Sequence, residues 1–346
     1  MGHKGTGGRR RMLRETAVSE IVTLQAFLDR WAGADEARKA VAGAVRTIAF
    51  TGVGIADLVA RGPLEESLAA IRGTDPNAGG DTQKELDVIA EERIIAALKG
   101  TEVAFLASEE SEELIPVNDG GRLVVAVDPL DGSSNIDTNV SVGTIYSILP
   151  YDAAAFPKPT DAVTRPGSNQ VASGFLAYGP ATILVATFGE GTQVFVYDRE
   201  KSEFFLAREK VEIPVETKEY GVNQSNVRQW HAPMKAYVDD CLAGKEGPRD
   251  KDFNMRWIGS MVADAFRIFT RGGVYIYPSD RRKGYENGRL RLIYEANPIA
   301  FLTEQAGGGA TDGTTRILDI VPTHIHQRIP LVFGSKAEVE KIASYY

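Results

Sequence analysis

Residues 128–135 place two carboxylates, a glycine and two serines directly after an apolar run. That run, residues 123–127, reads Leu-Val-Val-Ala-Val and is typical of a strand buried on both faces. Asp128 and Asp131 follow it, so their carboxylates can converge on one cation. Gly132 lets the backbone turn tightly, and the serines after it offer hydroxyl and N–H groups to a phosphate. The stretch predicts a combined cation and phosphate site, with an ordinary polar turn as the alternative.

Further carboxylates stand at the predicted ends of other elements. Asp81 opens a predicted helix, and Glu109 and Glu110 follow a short apolar strand. Glu295 follows a third predicted strand, residues 289–294. Taken singly, Asp81 could be a helix cap, the acidic run after residue 108 a solvated face, and Glu295 a rim residue. Because the carboxyl ends of strands meet at one edge in α/β layers, we expect these side chains to converge with Asp128 and Asp131.

Six carboxylates in one pocket require cations to remain ionised near neutral pH. Two like charges about 4 Å apart repel by about 4 kcal/mol at an effective dielectric constant of about 20. Oxygen ligands favour Mg²⁺ or Mn²⁺ over zinc, and the chain has only four histidines and one cysteine. Two such ions beside a phosphate stabilise the attacking and leaving oxygens of an in-line displacement. The constellation predicts metal-assisted phosphoester hydrolysis. The chain has no glycine-rich Gly-Lys-Ser/Thr loop, so the sequence argues against a P-loop NTPase.

Composition places the chain among globular proteins and narrows its partners. The 346 residues are 43% hydrophobic and 25% charged, with a net charge of −8 that argues against nucleic acid as a partner. No run of about 18 apolar residues predicts a membrane span. The single cysteine, Cys241, cannot form an internal disulfide and fits a cytoplasmic protein. Residues 1–20 are basic and glycine-rich at their start, and we expect them to be disordered.

Hydrophobic periodicity predicts an α/β protein of layered helices and mixed sheets. A soft boundary near residue 210 divides it into an N-terminal α/β domain, 21–210, and a C-terminal one, 211–346. Asp35 is expected to cap a long helix, Gly73–Gly80 to form a loop, and Asn297 to cap a helix with Pro298 at its first position. The other expected elements are a helix over 21–31, a helix from 81 to Gly100, a strand over 103–107, an antiparallel meander over 175–206, a helix after Gly259 and a strand over 274–277.

The decapeptide Asp128–Asp137 resembles the signature of class 1 fructose-1,6-bisphosphatases, members of the Mg²⁺-dependent, lithium-sensitive sugar-phosphatase superfamily. Five further motifs follow the family's order: Gly80–Asp87, Ser108–Glu110, Ile258–Asp264, Leu290–Pro298 and Asp319–Arg328. The resemblance runs from about residue 35 to the C-terminus. It implies an αβαβα sandwich that hydrolyses the 1-phosphate of fructose 1,6-bisphosphate with a metal-activated water, giving fructose 6-phosphate and phosphate.

The resemblance also implies a role for each matching residue. The ligands of two or more Mg²⁺ ions per subunit, with Mn²⁺ as a substitute, would be Glu109, Asp128, Asp131, Glu295 and the Leu130 carbonyl. Asp81 and Glu110 would position and deprotonate the attacking water. Contacts to the 1-phosphate would come from Gly132, Ser133 and Ser134. The sugar and 6-phosphate pocket would comprise Asn223, Arg256, Trp257, Met261, Tyr277, Arg289 and Arg291. Arg256 would reach in from a neighbouring subunit, which implies a homotetramer.

Several of these residues have structural alternatives. Tyr277 could be a core residue, Met261 plain packing, and the two arginines of residues 289–291 a solvated edge. His326 is expected to be a hydrogen-bonded structural residue, and Cys241 to be inert.

Three departures from the family pattern bear on specificity and regulation. Arg289 stands where the family usually has lysine, and Trp257 and Asn226 replace two pocket tyrosines. A reshaped phosphate end motivates the alternative of a dual fructose-1,6- and sedoheptulose-1,7-bisphosphatase. The family's AMP-inhibition segment is replaced by residues 33–38, and its Lys-Tyr pair by Arg122-Leu123, so we expect weak or absent inhibition by AMP.

Two more distant readings remain open. An inositol or nucleotide phosphatase of the same superfamily would not need the arginines at positions 256, 289 and 291. A phosphosugar sensor with a dead site would not need all six acids. The sequence leaves the pathway open, whether gluconeogenesis or the Calvin cycle of carbon fixation.

Overall fold

A computed structural model describes residues 21–61, 71–76 and 82–346 of the chain. Residues 1–20 and Asp81 lie outside the described residues. The helices are α1 Leu24–Ala32, α2 Glu36–Arg61, α3 Glu85–Leu98, α4 Pro159–Val163, α5 Ala232–Leu242, α6 Met261–Arg271, α7 Asn297–Gln305 and α8 Lys336–Ala343. The first ten strands are β1 Ile71–Pro76, β2 Thr82–Lys84, β3 Val103–Ser108, β4 Ile115–Pro116, β5 Leu123–Asp131, β6 Val142–Pro150, β7 Ala172–Tyr178, β8 Thr182–Thr187, β9 Thr192–Asp198 and β10 Glu203–Arg208. The remaining strands are β11 Glu219–Gly221, β12 Asn254–Met255, β13 Val274–Tyr277, β14 Leu290–Arg291, β15 Gly309–Thr311, β16 Arg328–Ile329 and β17 Leu331–Gly334.

Two sheets carry most of these strands. The larger has eight strands in the order β10-β9-β8-β7-β6-β5-β3-β4, and the smaller has five in the order β12-β11-β13-β17-β15. Strands β6 to β10 form the expected antiparallel meander. Strands β3 and β5 are parallel, with Ser108 opposite Val127, so their carboxyl ends meet at one edge of the sheet. The acidic residues that follow the two strands are thereby brought together.

The outer helices of the large sheet pack through an apolar core on one of its faces. This core joins α1, α2 and α3 to the sheet and includes Ile48, Leu98, Val125, Leu176 and Phe195. The N-terminus of α2 is capped as expected, because the Asp35 carboxylate accepts from the amides of residues 37 and 38 at 2.8 and 3.1 Å.

Two further cores complete the layers. One lies between the sheets around α6 and α7, and includes Phe175, Ile268, Leu302 and Phe333. The other covers the far face of the small sheet with α5 and α8, and includes Val238, Ile276, Val332 and Ile342. Along β13, Tyr275 belongs to the first of these cores, whereas Val274 and Ile276 belong to the second, as strand alternation requires. The order helix, sheet, helix, sheet, helix confirms the αβαβα sandwich.

Within the described residues, α2 alone is long and apolar enough to cross a membrane by length and composition. This is weak evidence for a span, because half of the apolar stretch is buried inside the protein and core helices pass the same test.

Two local predictions before the site are wrong. Residues 71–76 form β1, which pairs antiparallel with β2, although the predicted loop includes residues 73–76; residues 77–80 of that prediction lie outside the described residues. Helix α3 begins at Glu85 and not at residue 81, because the backbone of residues 82–84 is engaged in that hairpin.

The backbone around residues 289–297 also differs from the expectation. Only Leu290–Arg291 are a strand, and Leu292–Ala296 form a π-helical turn that runs directly into α7. Asn297 has helical dihedral angles, φ −62° and ψ −50°, so it is not the cap that was predicted. The π turn explains the error, since the chain is already helical when it reaches Asn297.

Candidate active site

The carboxylates at the end of β5 sit on a β-bulge. Strand β5 pairs with β6 so that Asp128 lies opposite Ile145 and Asp131 lies opposite Gly143. One residue of β6 therefore faces two residues of β5, which defines a bulge. The strand continues to Asp131 and does not end at Val127 as the apolar run suggested. The Pro129 within it is tolerated because a bulge interrupts the ladder at a residue that has no N–H.

Three carboxylates converge in a buried cluster. Oxygens of Asp128, Asp131 and Glu295 all lie within 4.8 Å of one another. Burial, followed by the charges of Glu109, Asp131 and Glu295, raises the pKa of Asp128 well above its usual range. Burial followed by the charge of Glu109 does the same for Glu295. Burial raises the pKa of Asp131 to about 6, although backbone N–H groups partly offset it.

Each carboxylate of the cluster is held by a backbone amide. The Leu130 N–H donates to Asp128 Oδ1 at 3.0 Å, and the Val262 N–H donates to Asp131 Oδ2 at 3.0 Å. The Val262 amide belongs to the first turn of α6, whose positive dipole end favours an anion. Glu295 Oε2 accepts from the amide of Arg291 at 2.5 Å, a contact that the π turn makes within four residues. Such turns are frequent at functional sites.

Glu109 and Glu110 join the cluster from β3. Both appear among the charges that raise the pKa of Asp128. The amide of Glu109 donates to the Val127 carbonyl at 3.0 Å, which fixes the turn after β3 against β5. The structure therefore gathers five of the six predicted carboxylates, and the sixth, Asp81, lies outside the described residues.

Arg291 lies at the carboxylate end of the site, next to Glu109. Its side chain is 2% exposed, and Nε is 3.3 Å from Glu109 Oε1. Arg289 instead donates from Nη1 to the hydroxyl of Tyr285 at 2.7 Å. The resemblance implies that both arginines line the far end of the sugar pocket, whereas Arg291 contacts a carboxylate at the other end. The two-residue strand β14 and the π turn after it send the two side chains to different partners.

The predicted phosphate turn begins with a glycine in the left-handed region. Gly132 has φ 78°, which any residue with a Cβ adopts at a cost, and Ser133–Thr138 form a 3₁₀ helix directly after it. Ser133 is half-buried and Ser134 is exposed. The Asn135 side chain donates to the Gly259 carbonyl at 3.0 Å and ties this turn to the C-terminal half of the chain.

Aromatic residues and arginines lie close together in the region that the resemblance assigns to the sugar and the 6-phosphate. The rings of Trp257 and Tyr275 stack with centroids 5.3 Å apart, and Tyr277 lies 6.2 Å from Trp257. Tyr277 is half-buried, and burial raises its pKa while the charge of Arg289 lowers it. The guanidinium groups of Arg282 and Arg289 both lie over the ring of Tyr285, at 4.0 and 4.9 Å.

Three predicted site residues lie at the margins of this arrangement. Met261 is buried in the core between the sheets, at the first position of α6. Asn223 is exposed. The Arg256 side chain is 51% exposed, and its Nε lies 3.9 Å from Glu219 Oε1 of the same chain.

Both halves of the chain match known proteins of one family. Residues 28–209 match the N-terminal domain of fructose-1,6-bisphosphatase, and residues 213–346 match its C-terminal domain. A class 1 fructose-1,6-bisphosphatase of Xanthobacter autotrophicus is 81% identical over 95% of this chain and 100% of its own length. One from Azorhizobium caulinodans is 71% identical over 94% of this chain and 99% of its own length.

This chain belongs to the class 1 fructose-1,6-bisphosphatase family. The solved structures agree: the holo form of Leishmania major fructose-1,6-bisphosphatase has a TM-score of 0.85 and 35% identity, covering 94% of this chain and 98% of the other.

Sequence reasoning missed several residues of this fructose-1,6-bisphosphatase site. Asp264 is fully buried and accepts from the amides of Ile258 and Gly259 at 3.1 Å each, which shapes the loop before α6. Arg282 was also missed, although its position in the loop with Arg289 offered a signal. Thr144 lies opposite the bulge of β5 and carries no local signal, since its partners come from other strands.

Proposed function

We propose that this chain hydrolyses the 1-phosphate of fructose 1,6-bisphosphate, with water as the attacking group and divalent cations bound by the acidic cluster. The observation that carries the proposal is the buried set of Asp128, Asp131 and Glu295 beside the Gly132 turn, in a chain that matches the family over both halves. Relatives 81% and 71% identical are named fructose-1,6-bisphosphatases.

The donor set fits a hard cation. All three clustered groups are carboxylates, and the raised pKa values of Asp128 and Glu295 mean that Arg291 does not offset their burial and the charges of the neighbouring carboxylates. We assign the cation as Mg²⁺, with Mn²⁺ as a substitute and two or more ions per subunit, held by these residues with Glu109 and the Leu130 carbonyl. When bound, such ions stabilise charge on the phosphoryl oxygens and lower the pKa of water.

The remaining roles belong to side chains and backbone groups of this chain. Glu110, with Asp81, would accept the proton of the attacking water. Gly132 and the two serines after it would hold the 1-phosphate at the start of the 3₁₀ helix. We reassign Arg291 from the 6-phosphate to the reacting end, because it pairs with Glu109 and would orient that carboxylate.

The far pocket would bind the sugar and the 6-phosphate. Tyr277 and Arg289 supply a hydroxyl and a guanidinium, and Trp257 supplies an aromatic wall. Met261 and Asn223 would line the same pocket. Arg256 is exposed in a single chain, so we propose a homotetramer in which it completes a neighbouring subunit's site. We further propose that the enzyme is cytoplasmic. We also propose that the boundary between its two domains lies near residue 210.

Phosphate release from fructose 1,6-bisphosphate tests the proposal. Wild-type protein should release one phosphate per substrate with Mg²⁺ and none with EDTA, and ³¹P NMR should show loss of the 1-phosphate signal. Asp128→Asn should lose at least about two orders of magnitude in kcat, in keeping with the loss of a charge-stabilising group. Glu113→Gln is the matched control, because Glu113 is an exposed carboxylate in the segment between β3 and β4. No Mg²⁺-dependent release by the wild type would defeat the proposal.

The alternative is a dual enzyme that also cleaves sedoheptulose 1,7-bisphosphate. Trp257, Asn226 and Arg289 motivate it, since they replace residues that shape the phosphate end in the family. The ratio of kcat/KM for the two substrates decides between the candidates, and a ratio within about tenfold would favour the dual enzyme.

Sedimentation of the purified protein tests the tetramer, and Arg256→Ala should raise KM while leaving kcat nearly unchanged.

A further inference from the structure

A buried threonine faces the bulge that carries the cation ligands. Because Asp128 and Asp131 pair with Ile145 and Gly143, Thr144 is the single residue of β6 opposite Pro129 and Leu130. Its side chain is buried, and its hydroxyl donates to the Pro129 carbonyl at 2.7 Å. A bulge interrupts the regular ladder of backbone hydrogen bonds, so a hydrogen bond from a side chain can hold the backbone at this place.

The peptide unit between Pro129 and Leu130 is held at both of its polar groups. Its carbonyl accepts from Thr144, and its N–H donates to Asp128 Oδ1 at 3.0 Å. A peptide unit is planar, so two bonds on opposite sides fix its rotation. A fixed peptide plane holds the Leu130 N–H in the position from which it bonds the Asp128 carboxylate. It also fixes the backbone orientation that leads into the Leu130 carbonyl.

Thr144 is itself held by a second buried hydroxyl. Tyr178 Oη, on β7, is 2.6 Å from Thr144 Oγ1. The threonine proton is used on the Pro129 carbonyl, which has no proton of its own, so Tyr178 must donate. Burial raises the pKa of Tyr178, the bond to Thr144 lowers it and the charge of Asp128 raises it further, which leaves the phenol protonated. The chain of donors runs from Tyr178 through Thr144 to Pro129.

We propose that Thr144, supported by Tyr178, is a positioning residue that sets the geometry of Asp128 and the Leu130 carbonyl for a divalent cation. Neither hydroxyl touches the carboxylate cluster, and both act through the Pro129–Leu130 peptide. The inference deepens the proposed function and rests on it, since it concerns the cation site assigned there. Residues that orient the ligands of a metal commonly change its affinity by about 10- to 100-fold when altered.

The test measures Mn²⁺ binding by titration calorimetry without substrate, together with the Mg²⁺ concentration that gives half-maximal phosphate release. Thr144→Val removes the hydroxyl at nearly constant volume and should weaken Mn²⁺ binding about 10- to 100-fold. Thr144→Ser keeps the donor and should restore most of the affinity. Tyr178→Phe keeps the bond to Pro129 but removes its support, and should weaken binding by less than Thr144→Val does.

Thr192→Val is the matched control for losing a buried threonine hydroxyl. Thr192 is fully buried and donates to the Leu302 carbonyl at 2.8 Å, in a different part of the large sheet. It should lower the melting temperature, as Thr144→Val does, without changing Mn²⁺ affinity. This control separates cation positioning from a general loss of stability.

The outcomes distinguish failure of the Thr144 positioning role from failure of the proposed cation site. Unchanged Mn²⁺ affinity in Thr144→Val, with wild-type binding intact, would overturn the positioning role alone. An equal loss of affinity in Thr192→Val would also overturn it. Absence of Mn²⁺ binding by the wild type would overturn the proposed cation site, and the inference with it. If Thr144→Val does not fold, Tyr178→Phe carries the test, and unchanged affinity in that variant counts against the inference.

Discussion

Replacing Asp131 by asparagine should stabilise the metal-free protein. Asp131 is buried, and burial raises its pKa to about 6. An aspartate in an unfolded chain titrates near 3.9, and each unit is worth about 1.4 kcal/mol, so ionised Asp131 disfavours folding by about 3 kcal/mol at pH 7.5. Asparagine has no charge to bury and can still accept the Val262 amide, so most of this cost should disappear.

The pH dependence of stability is a second test of the sign of the Asp131→Asn effect. A carboxyl whose pKa is raised by folding binds more protons in the folded state, so stability falls as pH rises from about 4 to about 6. Below about pH 4 the wild-type group is protonated in both states, and the variant should gain nothing there. At pH 7.5 the gain should be about 1–3 kcal/mol, or roughly 2–6 °C in melting temperature.

The assay is thermal unfolding in EDTA at a series of pH values, followed by the same series with Mg²⁺. With Mg²⁺ the wild type should gain stability, because a ligand that binds only the folded state raises its melting temperature. Asp131→Asn should gain much less, and its phosphate release should collapse. Replacing one carboxylate oxygen by an amide nitrogen is thus expected to lower activity and to raise the stability of the metal-free protein.

Asp280→Asn is the control of opposite sign. Asp280 is also buried, but bonds from Arg282 outweigh the cost of burial and lower its pKa. Its ionised form therefore favours folding above its unfolded pKa, and the amide should lower the melting temperature at pH 7.5. A melting temperature for Asp131→Asn below that of the wild type in EDTA at pH 7.5, or a gain that persists below pH 4, would refute the conclusion that burial of the Asp131 charge destabilises the fold.

Three further predictions concern parts of the molecule outside the cluster. Glu338→Ala should cost about 3–5 kcal/mol of stability, because it leaves the buried Arg249 without the carboxylate that it bonds at 2.7 and 2.9 Å, while KM stays unchanged; chemical denaturation and steady-state kinetics measure both. The Cys241 thiol should resist iodoacetamide in the native protein at pH 8, since it is buried and burial raises its pKa to about 11, and rapid labelling seen by mass spectrometry would contradict this. AMP at micromolar concentration should leave phosphate release unchanged, given the substitutions at residues 33–38, and half-maximal inhibition in that range would show otherwise.

Much of the site could be predicted because its signals are local in the chain. The apolar run before Asp128 predicted a buried strand, and Gly132 was singled out for a tight turn that it makes with φ 78°. Convergence of Glu109 with Asp128 followed from one rule about strand ends, and the parallel pairing of β3 with β5 satisfies it. Asp81 has not been tested in this way, because it lies outside the described residues.

The errors occur where a local pattern has two physical solutions. Residues 289–294 have the apolar content of a strand, yet burial on all sides of Leu292–Ala296 suits a π turn equally well. Which solution applies depends on what the segment packs against. The turn brings Glu295 close enough to bond the Arg291 amide and to face Asp128 and Asp131, a result that strand geometry would not give.

The amino-acid sequence by itself determined the α/β class of the protein and the chemical type of its site, and the resemblance to a family implied the αβαβα order of the layers. The class and the type of site follow from periodicity, from turn residues and from oxygen ligands at the ends of predicted elements, and each of these signals is local in the chain. Only the tertiary structure decided that Arg291 pairs with Glu109 and that the Thr144 hydroxyl bonds the Pro129 carbonyl beside the Tyr178 hydroxyl. Such contacts join residues far apart in the chain, and their energy depends on burial and distance, which no local pattern specifies.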